Sequence, residues 1–151
     1  MKLVAVIGAK GFVGGQVANC IGGSENYELV PLVRGDDLRA GIGRSDIVIH
    51  AANPAKRFYA EKNPREDFIE SVEKTALIKG YAQGKRLILV SSISARTQLD
   101  TTYGRNRRSC ELIVNSPNSL IVRLGPMFGA GKRVGALGDL LDNSTVYVSA
   151  G

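Results

Sequence analysis

The first fifteen residues, Met1-Lys-Leu-Val-Ala-Val-Ile-Gly-Ala-Lys-Gly-Phe-Val-Gly-Gly15, decide the fold of this chain. A continuous apolar run rich in β-branched residues occupies 3–7, the pattern of a strand covered on both faces in a parallel sheet. Gly8, Gly11 and Gly14 follow at three-residue spacing, just before an apolar stripe of helical period. The N-terminus therefore predicts a strand, a glycine turn and a helix.

Each of these glycines has a separate task in such a turn. Gly8 permits the tight turn, Gly11 lets the backbone approach a pyrophosphate without a Cβ in the way, and Gly14 lets the helix lie close on the strand. N–H groups at the helix start then face the anion. An ordinary glycine turn is the alternative, but the position after a strand favours a dinucleotide site. The residues between the glycines are expected to line it as well: Lys10, Phe12 and Val13.

Length and composition limit the class of protein. A chain of 151 residues suits one domain, 1–151, whose core buries on the order of 70% of the unfolded surface. It contains no run of eighteen apolar residues, so we expect a cytoplasmic protein without a membrane partner. Two cysteines and one histidine, with no C-x-x-C pattern, indicate neither a disulfide framework nor a metal site.

The chain is basic, with a net charge of +6 and a pI of about 9.5. Its basic pairs are scattered over predicted loops and helix ends, and no series of aromatic residues accompanies them. This pattern favours attraction of an anionic dinucleotide or nucleotide-linked substrate over nucleic-acid binding. We therefore expect no nucleic-acid partner.

Further apolar runs alternate with helical patterns along the chain. They predict an α/β protein with a doubly wound parallel sheet, a Rossmann fold with strand order 3-2-1-4-5. Pro31 lies within the second strand and suits an edge position. The predicted strands are 3–7, 28–33, 45–53 including the exit, 85–92 and 119–131 including the exit loop, with a candidate sixth over 145–149. The predicted helices are 12–21, 64–83, 101–115 and 132–141, and a loop is predicted over 53–63. Helix 64–83 is predicted to face inward with Phe68, Val72 and Thr75/Ala76.

Arg34 follows the second strand, where many NAD-dependent domains carry an acidic residue for the ribose hydroxyls. A guanidinium can pair bidentately with a 2′-phosphate, so Arg34 favours NADP. The alternative is a solvated Arg34 with Asp36 on the ribose, in which case the cofactor is NAD.

The glycine spacing and the later motifs resemble the extended short-chain dehydrogenase/reductases, the NAD-dependent epimerase/dehydratase family. Asp46-Ile-Val-Ile-His50-Ala51-Ala52 is similar to the D-hydrophobic-hydrophobic-x-H-x-A segment of that family. The resemblance implies that Asp46 binds the adenine amino group and that Ala51 and Ala52 pass along the cofactor. Taken alone, the residues also fit a loop-capping Asp46 and a satisfied strand-end histidine.

The fourth predicted strand delivers serines, and a helix-borne tyrosine follows, which is the core constellation of the family. The resemblance implies that Ser92 orients the substrate oxygen, Tyr103 acts as acid/base and Arg107 supports it and binds cofactor. Ser91 and Ser94 are alternatives to Ser92. Without the resemblance, Tyr103 and Arg107 also fit a surface pair at i,i+4.

The chain departs from the family pattern at several points. Arg107 stands where the family has lysine, and Ser71 to Thr75 lacks the asparagine of the N-V-x-G-T signature. The interval from Ser92 to Tyr103 is short, and the family continues beyond this length with a substrate-binding portion. The segment from Arg123 to Gly131 resembles the family's R-x-x-x-x-x-G-x-G, which flanks the nicotinamide.

The resemblance implies an NAD(P)-dependent epimerase/dehydratase-like oxidoreductase acting on a nucleotide-sugar or related alcohol or carbonyl substrate. NADP is the expected cofactor, with NAD as the alternative. A homodimer through helices 64–83 and 101–115 is implied in the same way. The competing hypothesis is a non-catalytic dinucleotide-binding module that senses cofactor or regulates a partner.

Overall fold

The computed structural model describes residues 1–127, in which five parallel strands form one sheet. The doubly wound α/β architecture is confirmed, and each strand lies where the sequence has an apolar run. The predicted helix 132–141 and strand 145–149 lie outside the described residues. The strands are β1 (Lys2–Ile7), β2 (Tyr27–Leu32), β3 (Ile47–His50), β4 (Arg86–Ser92) and β5 (Ser119–Leu124).

Seven α-helices and one π-helical segment lie in the described part of the chain. They are α1 (Phe12–Gly22), α2 (Leu38–Gly43), α3 (Arg57–Lys62), α4 (Pro64–Phe68), the π-helix (Ile69–Glu73), α5 (Lys74–Tyr81), α6 (Ser94–Thr97) and α7 (Thr102–Val114). The short helices α2 and α6 were not predicted, and α3 lies within the predicted loop 53–63. No helix within residues 1–127 is long and apolar enough to span a membrane.

The strand order is β2-β1-β3-β4-β5, so the predicted order 3-2-1-4-5 is wrong. β3 pairs with β1, with His50 opposite Ile7, because the crossover through α2 carries the chain back past β1. β2 is thereby an edge strand, which accommodates Pro31. The winding direction reverses between β1 and β3, and open α/β sheets bind ligands at the carboxyl ends of two such strands.

Alternate residues of β1 face two different layers of helices. Val4 and Val6 pack with Ala18 of α1 on one face. Ala5 and Ile7 belong to the larger core on the other face, together with residues of α2, α5 and α7. The strand is therefore covered on both sides, as its continuous apolar run predicted.

One helical stretch runs from Pro64 to Tyr81, and its middle part is the π-helix. The predicted inward stripe of this helix is partly wrong, because Phe68 is 48% exposed. The π-helix changes the spacing of the residues that face the sheet. The buried positions include three polar residues four apart, namely Asp67, Ser71 and Thr75.

His50, at the end of β3, is fully buried and held by this polar stripe. Its Nε2 lies 3.0 Å from Thr75 Oγ1, and its Nδ1 accepts a hydrogen bond from the Ala52 N–H at 3.4 Å. Burial, with the positive charges of Arg107 and Lys74, lowers the pKa of His50 to about 3. The imidazole is therefore neutral, with its proton on Nε2.

The helix α1 approaches the end of β1 so closely that only glycine fits at the contact. A Cβ built on Gly14 would lie 2.1 Å from the carbonyl oxygen of Gly8. At Gly15, one residue later in the same helix, the nearest atom to such a Cβ is Ala9 O, at 3.4 Å. The two adjacent glycines therefore form a matched pair for mutation.

We expect Gly14→Ala to lower the free energy of unfolding by roughly 2–3 kcal/mol, because backbone must move to admit the methyl group. Gly15→Ala should leave stability unchanged or raise it by up to about 1 kcal/mol, since alanine favours a helix. Urea unfolding followed by circular dichroism measures both. Equal stability of the two variants would contradict the assigned contact.

The buried His50 predicts a pH-dependent stability. The unfolded chain binds a proton at this residue near pH 6.5, whereas the folded chain does so only near pH 3. The free energy of unfolding should therefore fall by roughly 1 kcal/mol per pH unit as pH drops from about 6 to 5. Since His50 is the only histidine, His50→Gln should flatten this slope. An unchanged slope in the variant would show that another group titrates.

Candidate functional site

Two adjoining cavities lie at the carboxyl edge of the sheet, where β1 and β3 end. The first cavity, of about 520 Å³, extends to the exit of β2, and the second, of about 420 Å³, extends to β4, α7 and the exit of β5. Because they have lining residues in common, they adjoin each other across the reversal point of the sheet, and together they are called the groove. The shared residues are Gly11, Ala51, Asn53 and Pro54.

The glycine turn forms the middle of this groove. Gly8 adopts a φ of +88°, and a Cβ there would lie 2.9 Å from Ala51 O, so the turn and the exit of β3 are in direct contact. Gly11 precedes α1, and no side chain within the described residues caps that helix. A helix start without a side-chain cap is suited to bind an anion.

The other predicted residues of the turn divide between the two cavities. Lys10 lines the first cavity, whereas Phe12 and Val13 line the second. Ala52 lines the first cavity. Gly14 lies beneath the turn rather than in the groove, so it shapes the site through packing alone.

Arg34 lies at the β2 end of the first cavity. Its side chain is 90% exposed, and its Nη2 lies 3.3 Å from Glu70 Oε2. Asp36 lines the same cavity, but its carboxylate accepts a hydrogen bond from the Val33 N–H at 2.7 Å. Both groups considered for the ribose are therefore exposed at this end of the cavity, and each already has one partner within residues 1–127.

Asp46 is not brought to the groove. It precedes β3, and its Oδ2 accepts a hydrogen bond at 2.8 Å from the N–H of Leu3, near the start of β1. Because the strands are parallel, this places the carboxylate at the amino edge of the sheet, opposite Gly8 and Ala51. The predicted adenine contact of Asp46 is therefore not supported, and its role here is to tie β3 to β1.

Of the three serines considered, Ser92 is the best placed. It lines the second cavity, and its Oγ accepts a hydrogen bond from the Ser94 N–H at 3.2 Å, which leaves the hydroxyl proton to donate. Ser91 lines the same cavity but donates to Glu111 Oε1 at 2.7 Å. Ser94 is fully buried and does not line either cavity.

Tyr103 and Arg107 both line the second cavity, together with Ser92. The interpretation as a surface pair fails, since Tyr103 is 7% and Arg107 2% exposed. The guanidinium carbon of Arg107 lies 5.0 Å from the centroid of the Tyr103 ring, within cation–π range. The charge that replaces the family's lysine is thus held against the tyrosine.

A buried carboxylate that the sequence analysis missed lies behind Arg107. Asp67 Oδ2 accepts a hydrogen bond from Asn106 Nδ2 at 2.8 Å and lies 3.9 Å from Arg107 Nη2. Ser71, in the segment where the family has asparagine, donates its hydroxyl to the carbonyl of Asp67 instead. An acidic residue four positions before a serine carries no sequence signal of burial, because it also fits a solvated helix face.

Asn53 was also missed as a site residue. Its side-chain Nδ2 and Oδ1 are both buried and make no hydrogen bond within residues 1–127, although the residue lines both cavities. Buried amides of this kind normally have partners. Its position directly after Ala51 and Ala52 is the sequence feature that could have identified it as a site residue.

Two further carboxylates organise the walls of the second cavity. Glu61 of α3 accepts hydrogen bonds from the N–H groups of Thr102 and Tyr103, at 2.7 and 3.3 Å, and so caps α7. Glu111 accepts two hydrogen bonds from Arg123, at 2.8 and 2.7 Å. Burial favours the neutral acid, but hydrogen bonds led by Arg123 hold the pKa of Glu111 below its ordinary value.

Arg123 therefore ties β5 to α7 rather than reaching into the groove. Three residues after β5 line the second cavity: Gly125, Pro126 and Met127. Gly129 and Gly131 of the same motif lie outside the described residues.

No protein-family model matches the chain, and no curated protein matches it by sequence. Solved structures do match. The dTDP-4-dehydrorhamnose reductase of Yersinia enterocolitica has a TM-score of 0.81 at 21% identity, over 95% of this chain and 60% of that one. The reductase of the same name from Bacillus anthracis, in complex with NADP, has a TM-score of 0.73 at 21% identity, over 82% and 53%.

The UDP-glucuronic acid 4-epimerase of Bacillus cereus, in complex with a UDP-sugar and NAD, has a TM-score of 0.74 at 16% identity, over 97% of this chain and 65% of that one. The chain thus spans less than two thirds of each of these proteins. At these identities the similarity establishes the fold. The chain therefore shares the Rossmann fold of these reductases and of this epimerase.

Proposed function

We propose that this chain binds NADP, or alternatively NAD, and serves as an epimerase/dehydratase-like oxidoreductase for a nucleotide-sugar or related alcohol or carbonyl substrate. The observation that carries the proposal is the groove, whose two adjoining cavities reach from Arg34 and the glycine turn in the first to Tyr103 in the second. The shared fold with NADP- and NAD-bound sugar-nucleotide enzymes supports it.

The residues of the groove fit a dinucleotide. Gly8 leaves no room for a Cβ, no side chain caps the start of α1 within residues 1–127, and the orphaned amide of Asn53 lines both cavities. We assign the adenosine half to the first cavity with Arg34 and the pyrophosphate to the Gly11 turn. The nicotinamide half then falls in the second cavity.

The polar groups of the second cavity suit proton transfer at a substrate oxygen. When bound, the nicotinamide supplies hydride transfer at a carbinol or carbonyl carbon. The Ser92 hydroxyl donates a hydrogen bond to the oxygen on that carbon, and the Tyr103 hydroxyl takes up or gives the proton there. Arg107 places a positive charge beside the Tyr103 ring, 5.0 Å from its centroid.

Arg107 supplies this charge differently from a lysine. A guanidinium keeps its proton at all pH values of interest, so it stabilises charge but does not relay a proton. Asp67 and the Tyr103 ring hold it in one position. Catalysis by Tyr103 therefore needs a proton path through solvent or substrate.

We further propose that residues 1–151 form one cofactor-binding domain of a cytoplasmic homodimer. Support for the dimer comes from large apolar side chains exposed on both helical stretches: Leu77 is 50% and Leu112 is 60% exposed. Light scattering on the purified chain should give twice its 16.1 kDa mass. A monomer mass at micromolar concentration would contradict this assembly.

Titration with NADPH and NADH, followed by nicotinamide fluorescence, tests the cofactor assignment. We expect micromolar binding with NADPH preferred, and we expect Arg34→Gln to weaken NADPH roughly tenfold, as for loss of a charged hydrogen bond. NADH binding should change less than twofold. Arg39→Gln, an exposed arginine that does not line either cavity, is the charge-matched control. Failure of both cofactors to bind would refute the proposal.

Tyr103→Phe tests catalysis separately from binding. Turnover on a panel of UDP- and dTDP-linked sugars should fall by about 10²–10⁴, the range for loss of a general acid/base, while NADPH affinity stays within twofold. Tyr27→Phe, at an exposed tyrosine of β2, should keep full activity. If the wild-type chain binds cofactor but turns over no sugar nucleotide, the non-catalytic module becomes the better description.

A further inference from the structure

We propose that Arg57 and Arg107 form an anion-binding site in the second cavity. This site binds an anionic group of the substrate, a carboxylate or a phosphate. The inference rests on the proposed function for the assignment of the nicotinamide half to this cavity. It adds the charge of the substrate group that lies beside Tyr103, which neither the fold nor the motifs specify.

The first observation is the unused hydrogen-bonding capacity of Arg107. Its Nε and Nη2 are buried and make no hydrogen bond within residues 1–127. The carboxylate of Asp67 is 3.9 Å from Nη2, which is beyond hydrogen-bond distance. Asp67 Oδ1 also has no hydrogen-bond partner within these residues, so the two charges face each other without a direct hydrogen bond. Unsatisfied charged donors are costly inside a protein, and this guanidinium, which lines the second cavity, can therefore gain from an acceptor bound there.

The second observation is a further guanidinium beside the same tyrosine. Arg57, the first residue of α3, has its guanidinium carbon 6.0 Å from the centroid of the Tyr103 ring, compared with 5.0 Å for Arg107. Arg57 is exposed and makes no ion pair in the described part of the chain. Two arginines from different elements thus converge on one aromatic ring.

The charge balance of the cavity supports an anionic occupant. Among the described residues that line it, Arg57 and Arg107 are charged and none is acidic. Asp67 offsets one positive charge from behind, so about one remains uncompensated. Ribose hydroxyls can accept hydrogen bonds from Arg107, but they are neutral and leave this charge unbalanced.

Two sources could supply the anion: the substrate or the pyrophosphate of the cofactor. The substrate is favoured because the pyrophosphate already has the uncapped start of α1 and Lys10 at the glycine turn. Arg57 and Arg107 instead lie at Tyr103, where the substrate oxygen is placed by the proposed mechanism.

Arginine side-chain NMR of the full chain saturated with NADPH tests the anion-binding site. Inorganic phosphate and acetate are titrated separately at constant ionic strength, and the Nε–H resonance of Arg107 is followed. We expect a saturable shift, and Arg57→Gln should weaken anion binding by about fivefold. Arg44→Gln, an exposed arginine at the amino edge of the sheet, removes the same charge and should change binding less than twofold.

The outcomes separate the alternatives. Absence of a saturable shift would overturn the proposed anion-binding site. Equal weakening of anion binding by Arg57→Gln and Arg44→Gln would overturn it as well. Anion binding that NADPH abolishes, together with weaker NADPH binding by Arg57→Gln, would assign the arginines to the cofactor and overturn the substrate role. If NADPH fails to bind the wild-type chain, the proposed function fails. The same titration of the cofactor-free chain then tests the anion-binding site independently.

Discussion

The close contact of α1 with the end of β1 is the constraint on which the groove depends. Gly14 lies against the carbonyl of Gly8, and Gly8 in turn lies against Ala51 at the end of β3. These contacts bring the uncapped start of α1 to the reversal point of the sheet, where the exits of β1 and β3 meet. A side chain at Gly8 or Gly14 would separate these elements, so the same glycines serve both packing and anion binding.

A polar layer under the second cavity sets the position of the catalytic candidates. Asp67 and Thr75 are buried on the helical stretch 64–81, where an ordinary helix would bury apolar groups, and they face Arg107 of α7 and His50 of β3. They hold Arg107 and His50, so charge and hydrogen bonds replace part of the apolar core. Buried pairs of this kind are weak contributors to stability but can fix geometry. Here the geometry they fix is the approach of the Arg107 charge to Tyr103.

The sequence was sufficient for the elements that rest on local pattern. The glycine turn, the five strands and the helix carrying Tyr103 all follow from apolar period and glycine spacing. The strand order was not accessible, because the side to which the crossover after β2 turns depends on packing of α2 against both β1 and α5. Phe68 and Asp46 were misplaced for related reasons: a π-helix shifts the buried face, and a motif position does not state at which edge of the sheet a residue lies. Asn53 and Asp67 show the remaining limit, since unsatisfied or buried polar groups are visible only in three dimensions.

The central claim is that one dinucleotide lies along both cavities, with its pyrophosphate at the glycine turn. A crystal structure of the chain with NADP tests it most directly. We predict the adenosine beside Arg34 in the first cavity, phosphate oxygens on the N–H groups at the start of α1, and the nicotinamide beside Tyr103 in the second cavity. A nucleotide bound away from the turn, or one with its adenine beside Tyr103, would contradict the account.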